Sequence, residues 1–211
     1  MSRSRHPIFS RWYDFVTAFV ERSGYGKLRQ QILEPASGRL LAIGLGPGYD
    51  LLHLPVAVKE VVGVEPDPSM RKICARRAAD LSMPVQLVNA SGEHLPFDDA
   101  SFDTVLCTLV LCTVSDPVAV LAEARRVLKP TGELLVLEHV RAGDGESLGR
   151  WQDRMAGPWS FFGGGCRPNR RTLAAFDRAG FDTTDLTSER IDELPPLIRP
   201  HLHGRARPRS A

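Results

Sequence analysis

Five short apolar runs alternate with helix-like segments along the middle of the chain, and this alternation constrains the fold more than any other feature. The runs cover residues 40–43, 60–65, 85–89, 102–107 and 133–139. Rich in Val, Leu and Ile and without strict polar alternation, they have the composition of strands buried on both faces. Strands separated by helices imply βαβ units and a parallel sheet. Two of the helices carry their own start signals. Asp67 precedes Pro68 and Asp116 precedes Pro117, each pair placing an N-cap acceptor before a proline at the first helical position. Met70, Ile73 and Cys74 then share one face, as do Val118, Leu121, Ala122 and Leu128. Lys129-Pro130-Thr131-Gly132 reads as the turn from the second helix into the fifth strand.

The flanks are less regular. Residues 6–34 read as amphipathic and helical, with Phe9, Trp12, Tyr13, Phe15 and Phe19 among them. Past His139 the pattern weakens to a break at Gly163-Gly164-Gly165, a helix over 172–179, and final strands over 181–188 and 201–207.

Composition narrows the class. A chain of 211 residues buries roughly 70% of its unfolded surface and needs no disulfide or metal staple. With 27 basic against 25 acidic residues, charge offers no general argument for nucleic acid or an anionic membrane as partner. Arg205, Arg207 and Arg209 read as a solvated tail. The cysteines, Cys74, Cys107, Cys112 and Cys166, form no CxxC pair and no metal-ligand spacing, so the expectation is reduced thiols and no metal. The N-terminus lacks an apolar core of signal-peptide length, and the patch over 15–20 is too short to span a bilayer. The expected location is the cytoplasm.

The chemistry concentrates where the first strand ends, in LLAIGLGPGYD (residues 40–50). Gly44, Gly46 and Gly48 let the backbone turn tightly and approach a ligand, at the carboxyl edge where such sheets bind ligands. Glu65 closes the second strand 21 residues after Gly44. A carboxylate there accepts hydrogen bonds from both hydroxyls of a ribose, which points to an adenosine-bearing ligand. A dinucleotide fingerprint spaces its glycines GxGxxG, whereas this loop reads GxGxG and has Tyr49 at the dinucleotide position. That spacing suits an amino-acid tail better than a pyrophosphate.

At this point the chain resembles the class I S-adenosylmethionine (SAM)-dependent methyltransferases of the type 11 domain. VVGVEPDPSM (61–70), GEHLPF (92–97) with SFD (101–103), TLVL (108–111) and RVLKPTG (126–132) carry the likeness over about 38–140. The resemblance implies an α/β fold, a doubly wound Rossmann-like sheet, mostly parallel, of about seven strands with the last antiparallel. It implies SAM as cofactor, held by Gly44, Gly46, Gly48, Asp50, Glu65, Pro66, Gly92, Glu93, Thr108 and Leu109. It divides the single domain 1–211 into an N-terminal helical cover (1–37), a SAM-binding core (38–140), and a C-terminal lid with the final strands (141–211). A narrower likeness, in LVLC (109–112), EHV (138–140), Gly165-Cys166 with Asn169, and RPH (199–201), is to a subgroup that includes thiol S-methyltransferases. More distantly it reaches the ubiquinone and menaquinone C-methyltransferases. One departure stands out. Ala42 occupies the position where the family usually has an acid that helps hold the methionine amino group, and Asp50 is the charge that would compensate.

Methyl transfer from a sulfonium asks chiefly for alignment. A base matters only where the acceptor is protonated and weakly acidic. His139, at the end of the fifth strand, is the candidate base; capping the strand is its structural alternative. His94 reads as surface, Cys112 as core, and Trp151, Trp159, Phe161 and Phe162 as an apolar acceptor wall or a hinge. The expected reaction is methylation of a small thiol or hydroxyl. The alternatives are a quinone-type C-methyltransferase, a SAM-binding protein that has lost catalysis, and an NAD(P)-dependent oxidoreductase.

Overall fold

The computed structural model describes residues 7–209, in which the alternating runs form one eight-stranded sheet. β1 (Gly38–Ile43), β2 (Val58–Val64), β3 (Val85–Val88), β4 (Phe102–Thr108) and β5 (Leu128–His139) are parallel, in the order β3-β2-β1-β4-β5. The chain runs outward from β1 and then returns to its other side with β4. The reversal opens a crevice at the carboxyl ends of β1 and β4, the place where such sheets bind ligands. The C-terminal strand β8 (Pro200–Pro208) is antiparallel to β5 and pairs in turn with β6 (Phe181–Asp182) and β7 (Leu186–Arg190).

Alternate strand residues enter two cores. Leu41, Ile43, Val62, Val105 and Leu134 face one layer with α4 (Pro117–Val127) and α6 (Thr172–Arg178). Leu40, Ala42, Val61, Leu106 and Leu135 face the other with α2 (Gly26–Leu33) and α3 (Pro68–Ala78). Both expected caps form: Asp67 accepts from the N–H groups of Ser69 and Met70, and Asp116 from those of Val118 and Ala119. Such caps contribute about 1 kcal/mol each.

Four expectations change. Residues 129–132 bulge out of β5: Phe102 pairs Leu128, and the next pair is Thr104 with Glu133. The run 181–188 splits because the Asp182 carboxylate accepts from the N–H and hydroxyl of Thr184, closing a turn between β6 and β7. Arg205 and Arg207 lie on β8, with Glu133 of the neighbouring β5 beside both, so they are not a tail. The helical N-terminal stretch is two helices, α1 (Pro7–Val20) and α2, separated by a wide turn over 21–25 in which Gly24 has φ +115°. His6, at the start of the expected stretch, lies outside the described residues.

One helix was not anticipated, α5 (Ser147–Phe162), which contains Gly149, Gly157 and Pro158 and buries only Gly149 and Gln152. Gln152 explains its position. The buried amide donates to Val140 O (3.1 Å) and Leu197 O (2.8 Å) and accepts from Ala142 N–H (2.7 Å). With its hydrogen-bonding capacity used, a buried amide costs little and ties α5 to the end of β5.

Candidate active site

The glycine loop leaves β1 with Gly44, Gly46 and Gly48 at φ +64°, +57° and +87°. Their surroundings differ. A Cβ on Gly48 would lie 2.7 Å from Cys74 Sγ, so that glycine permits packing against α3. A Cβ on Gly46 would meet nothing nearer than 3.8 Å, leaving an open cradle on that side. Glu65 braces the same loop. Its Oε2 accepts from Gly46 N–H (3.0 Å) and its Oε1 from Asp67 N–H (2.9 Å). An ionised carboxylate is acceptor-only, which suits the two donors of a ribose diol. The open face at Gly46 and the buried acid beside it fit SAM.

Apart from Asp50, the other residues expected at the cofactor lie at the ends of β2, β3 and β4 and on the loops that follow them. Pro66 is exposed. Gly92 allows its loop to pack on Ile43 and Val120. Glu93 joins that loop to the one after β4 by accepting from Ser115 N–H (3.1 Å). Thr108 ends β4, and Leu109 takes a left-handed φ of +54° while its N–H donates to Leu137 O (2.8 Å). A non-glycine residue held there costs of order 1–3 kcal/mol, and such strain gathers at ligand sites.

Asp50 does not stand free as a replacement for the missing acid. Buried, it pairs with Arg29 of α2, which also binds Glu21 (2.8 Å). Burial opposes Arg29's charge, but Asp50 and Glu21 outweigh it and raise its pKa. An arginine on an amphipathic helix reads as surface, so sequence offered no signal for this pairing. Ala42 is buried in an apolar cluster with Leu40, Leu45 and Leu106.

Helix α1 is tied to the glycine loop. Tyr49 donates its hydroxyl to Asp14 O (2.9 Å), and Arg77 stacks on the Tyr49 ring (4.1 Å), pairs with Asp14 (2.7 Å) and donates to Pro47 O. Farther along, Phe9 packs on Trp12, Tyr13 and the turn at Gly164. Phe161 and Phe162 are exposed, while Trp159 donates its indole N–H to Cys166 Sγ (3.1 Å).

The end of β5 carries the most concentrated chemistry. Fully buried, Glu138 accepts from Val110 N–H (2.7 Å), Leu111 N–H (2.8 Å) and Cys112 N–H (3.4 Å), so it holds the loop after β4 in place. Burial raises its pKa, and the Val110 and Leu111 donors oppose that shift. Next to it, His139 sets Nε2 3.0 Å from Cys166 Sγ, while its buried Nδ1 has no hydrogen-bond partner. Burial disfavours its protonation; Cys112 and Glu138 favour it, and the net direction is upward. The contact with Cys166, and then burial, hold the Cys112 thiol well above its ordinary pKa.

Behind His139 lies His201, with ring centres 6.3 Å apart. Its Nδ1 lies 3.0 Å from Arg199 O, so Nδ1 carries the proton and Nε2 accepts from the Tyr25 hydroxyl (3.2 Å). Burial lowers its pKa to about 4. Tyr25 and Arg29 are the residues sequence reasoning missed here. His94 is exposed, as expected.

A parallel sheet with its crevice at the switch point, an open glycine cradle and a buried acid two strands' turn away define an α/β enzyme that takes SAM as its cofactor. The methyltransferase-domain family matches residues 41–136. The chain is 30% identical to thiol S-methyltransferase TMT1B of Rattus norvegicus over 95% of its own length and 87% of the relative's. It is 32% identical to thiol S-methyltransferase TMT1A of Homo sapiens, covering 94% and 82%. Among solved structures, a SAM-dependent methyltransferase of Thermotoga maritima superposes with a TM-score of 0.69 at 25% identity, covering 97% of this chain and 100% of that one. A geranyl diphosphate methyltransferase in complex with SAM shares the fold (TM-score 0.69, 14% identity, 88% and 84% covered). The chain belongs to the SAM-dependent methyltransferases of the type 11 domain. Among the described residues no helix is long and apolar enough to cross a membrane.

Proposed function

We propose that this enzyme methylates the sulfur of a small thiol and acts in the cytoplasm. The observation that carries the reading is the reach of the likeness to the thiol S-methyltransferases. It covers 95% of the chain, whereas the likeness to a demethylmenaquinone methyltransferase covers 50%. None of the four cysteines forms a disulfide, in keeping with a reducing compartment.

SAM supplies an activated methyl group on a sulfonium. The chain's part is to bind and align. Glu65 and Gly46 hold the adenosine end, with Pro66, Gly92 and Glu93 at the adenine side and Thr108 and Leu109 at the methionine end. Asp50 stands beside the loop with its charge already matched by Arg29. A thiol of pKa about 8.5 is partly ionised at neutral pH, so one group at the acceptor end suffices, and His139 is the residue that supplies it. Helices α1 and α2 form the cover and residues 141–209 the lid and final strands, α1 reaching the lid through Phe9 and Gly164.

Purified enzyme would be incubated with SAM and, separately, an alkyl thiol, a phenol and a demethylated quinone, and the products identified by mass spectrometry. A methyl thioether from the alkyl thiol alone supports the proposal. A methylated quinone ring moves the enzyme to the C-methyl class. SAM binding with no methylated product from any acceptor class would favour a binding protein.

A further inference from the structure

Cys112, His139 and Cys166 come from three segments, the loop after β4, the end of β5 and the loop after α5. Their ligand atoms all lie within 4.8 Å of one another, and His139 Nε2 is 3.0 Å from Cys166 Sγ. The cysteine spacing looked unlike a metal set because the ligands are gathered by the sheet and not by a local motif. We propose that these three side chains bind a zinc ion with one open position, which receives the acceptor thiol as a thiolate.

Three features support this. Tetrahedral zinc, with Zn–S about 2.3 Å and Zn–N about 2.0–2.1 Å, sets ligand atoms roughly 3.5–3.8 Å apart, within the range this cluster already spans. Zn²⁺ with two thiolates and a neutral imidazole carries no net charge, so burying it avoids the large cost of an unpaired ion. Outer contacts are in place: Trp159 donates to Cys166 Sγ, and Glu138 clamps the backbone at Cys112.

The catalytic half of this proposal rests on the thiol-acceptor reading; the metal half does not. On coordination the acceptor loses its S–H proton to solvent and forms a Zn–S bond, since a coordinating thiol is deprotonated outright. The thiolate sulfur then attacks the methyl carbon. A new S–C bond forms, the methyl–sulfonium bond breaks with its electron pair going to that sulfur, and the neutral thioether leaves the zinc. Three protein ligands with an open fourth place are the pattern of catalytic zinc sites.

The test uses full-length enzyme purified under a phosphine reductant, with zinc measured by mass spectrometry and cobalt(II) added to metal-free protein. The expected result is about one metal per chain, with a thiolate-to-cobalt charge-transfer band and a tetrahedral visible band. Cys166→Ser and His139→Gln should each weaken cobalt binding at least about tenfold, with SAM affinity by calorimetry reporting that each variant is folded. Adding an alkyl thiol should shift the visible band. Absence of metal and of cobalt bands in protein that binds SAM overturns the site, as does a Cys112–Cys166 disulfide in freshly lysed cells. Cobalt bands that no thiol moves leave the metal site standing and overturn its role in activating the acceptor. Thiol methylation by a metal-free enzyme overturns that role while upholding the thiol reading.

Discussion

Replacing Gly46 and Gly48 by alanine, one at a time, should separate the ligand cradle from the packing that supports it. Both glycines have left-handed φ, where an L-residue costs about 1–2 kcal/mol. For Gly46→Ala that strain is the main structural cost, because among the described residues the new methyl meets nothing nearer than Gly44 O at 3.8 Å. A chain of this size loses about 2–4 °C in Tm per kcal/mol, so Gly46→Ala should lower Tm by roughly 2–8 °C. Its methyl projects into the cradle, so SAM affinity should fall at least about tenfold, or about 1.4 kcal/mol. Gly48→Ala adds overpacking, since its Cβ would sit 2.7 Å from Cys74 Sγ. Overpacking costs about 1–3 kcal/mol, which brings the total to roughly 2–5 kcal/mol and the drop in Tm to about 4–20 °C. Thermal melts and calorimetric SAM titrations on both variants are the assay. Equal melting losses with SAM affinity unchanged in Gly46→Ala would refute the assignment of Gly46 to the ligand face.

Other outcomes follow from the same contacts. Glu138→Ala leaves the N–H groups of Val110 and Leu111 buried without acceptors, at about 1–3 kcal/mol each; thermal melts should show a large loss, and Glu138→Gln, which keeps one acceptor oxygen, should recover part of it. Ala42→Asp restores the acid usual in the family and should strengthen SAM binding about tenfold, a gain of about 1.4 kcal/mol by titration; unchanged affinity would mean the loop holds the amino group without it. His201 has a folded pKa of about 4 against an unfolded value of about 6.5. Between these the unfolded state binds more protons, so stability is present above about pH 6.5 and is lost as pH falls toward 4, by roughly 3 kcal/mol. Denaturant titrations of metal-free protein across this range should show the loss, and His201→Gln should flatten it.

Sequence alone determined what neighbouring residues decide among themselves. The Asp-Pro caps at 67–68 and 116–117 were legible because a cap is settled within three or four residues. The parallel strands were legible because runs buried on both faces need apolar side chains throughout, and the GxGxG loop because its backbone conformation demands glycine. Tertiary structure decided the rest. Arg29 meets Asp50 across 21 residues, His139 meets Cys166 across 27, and Gln152 reaches Leu197 across 45. None of these pairings leaves a periodic trace, since each depends on which strand ends the sheet brings to one edge. Helix α5 was missed because its place comes from one buried amide and not from an apolar stripe. The family's acid is absent at Ala42, and Arg29 holds Asp50. Sequence could therefore name the charge nearest in the loop to the missing acid, but only the folded arrangement could show that this charge already had a partner.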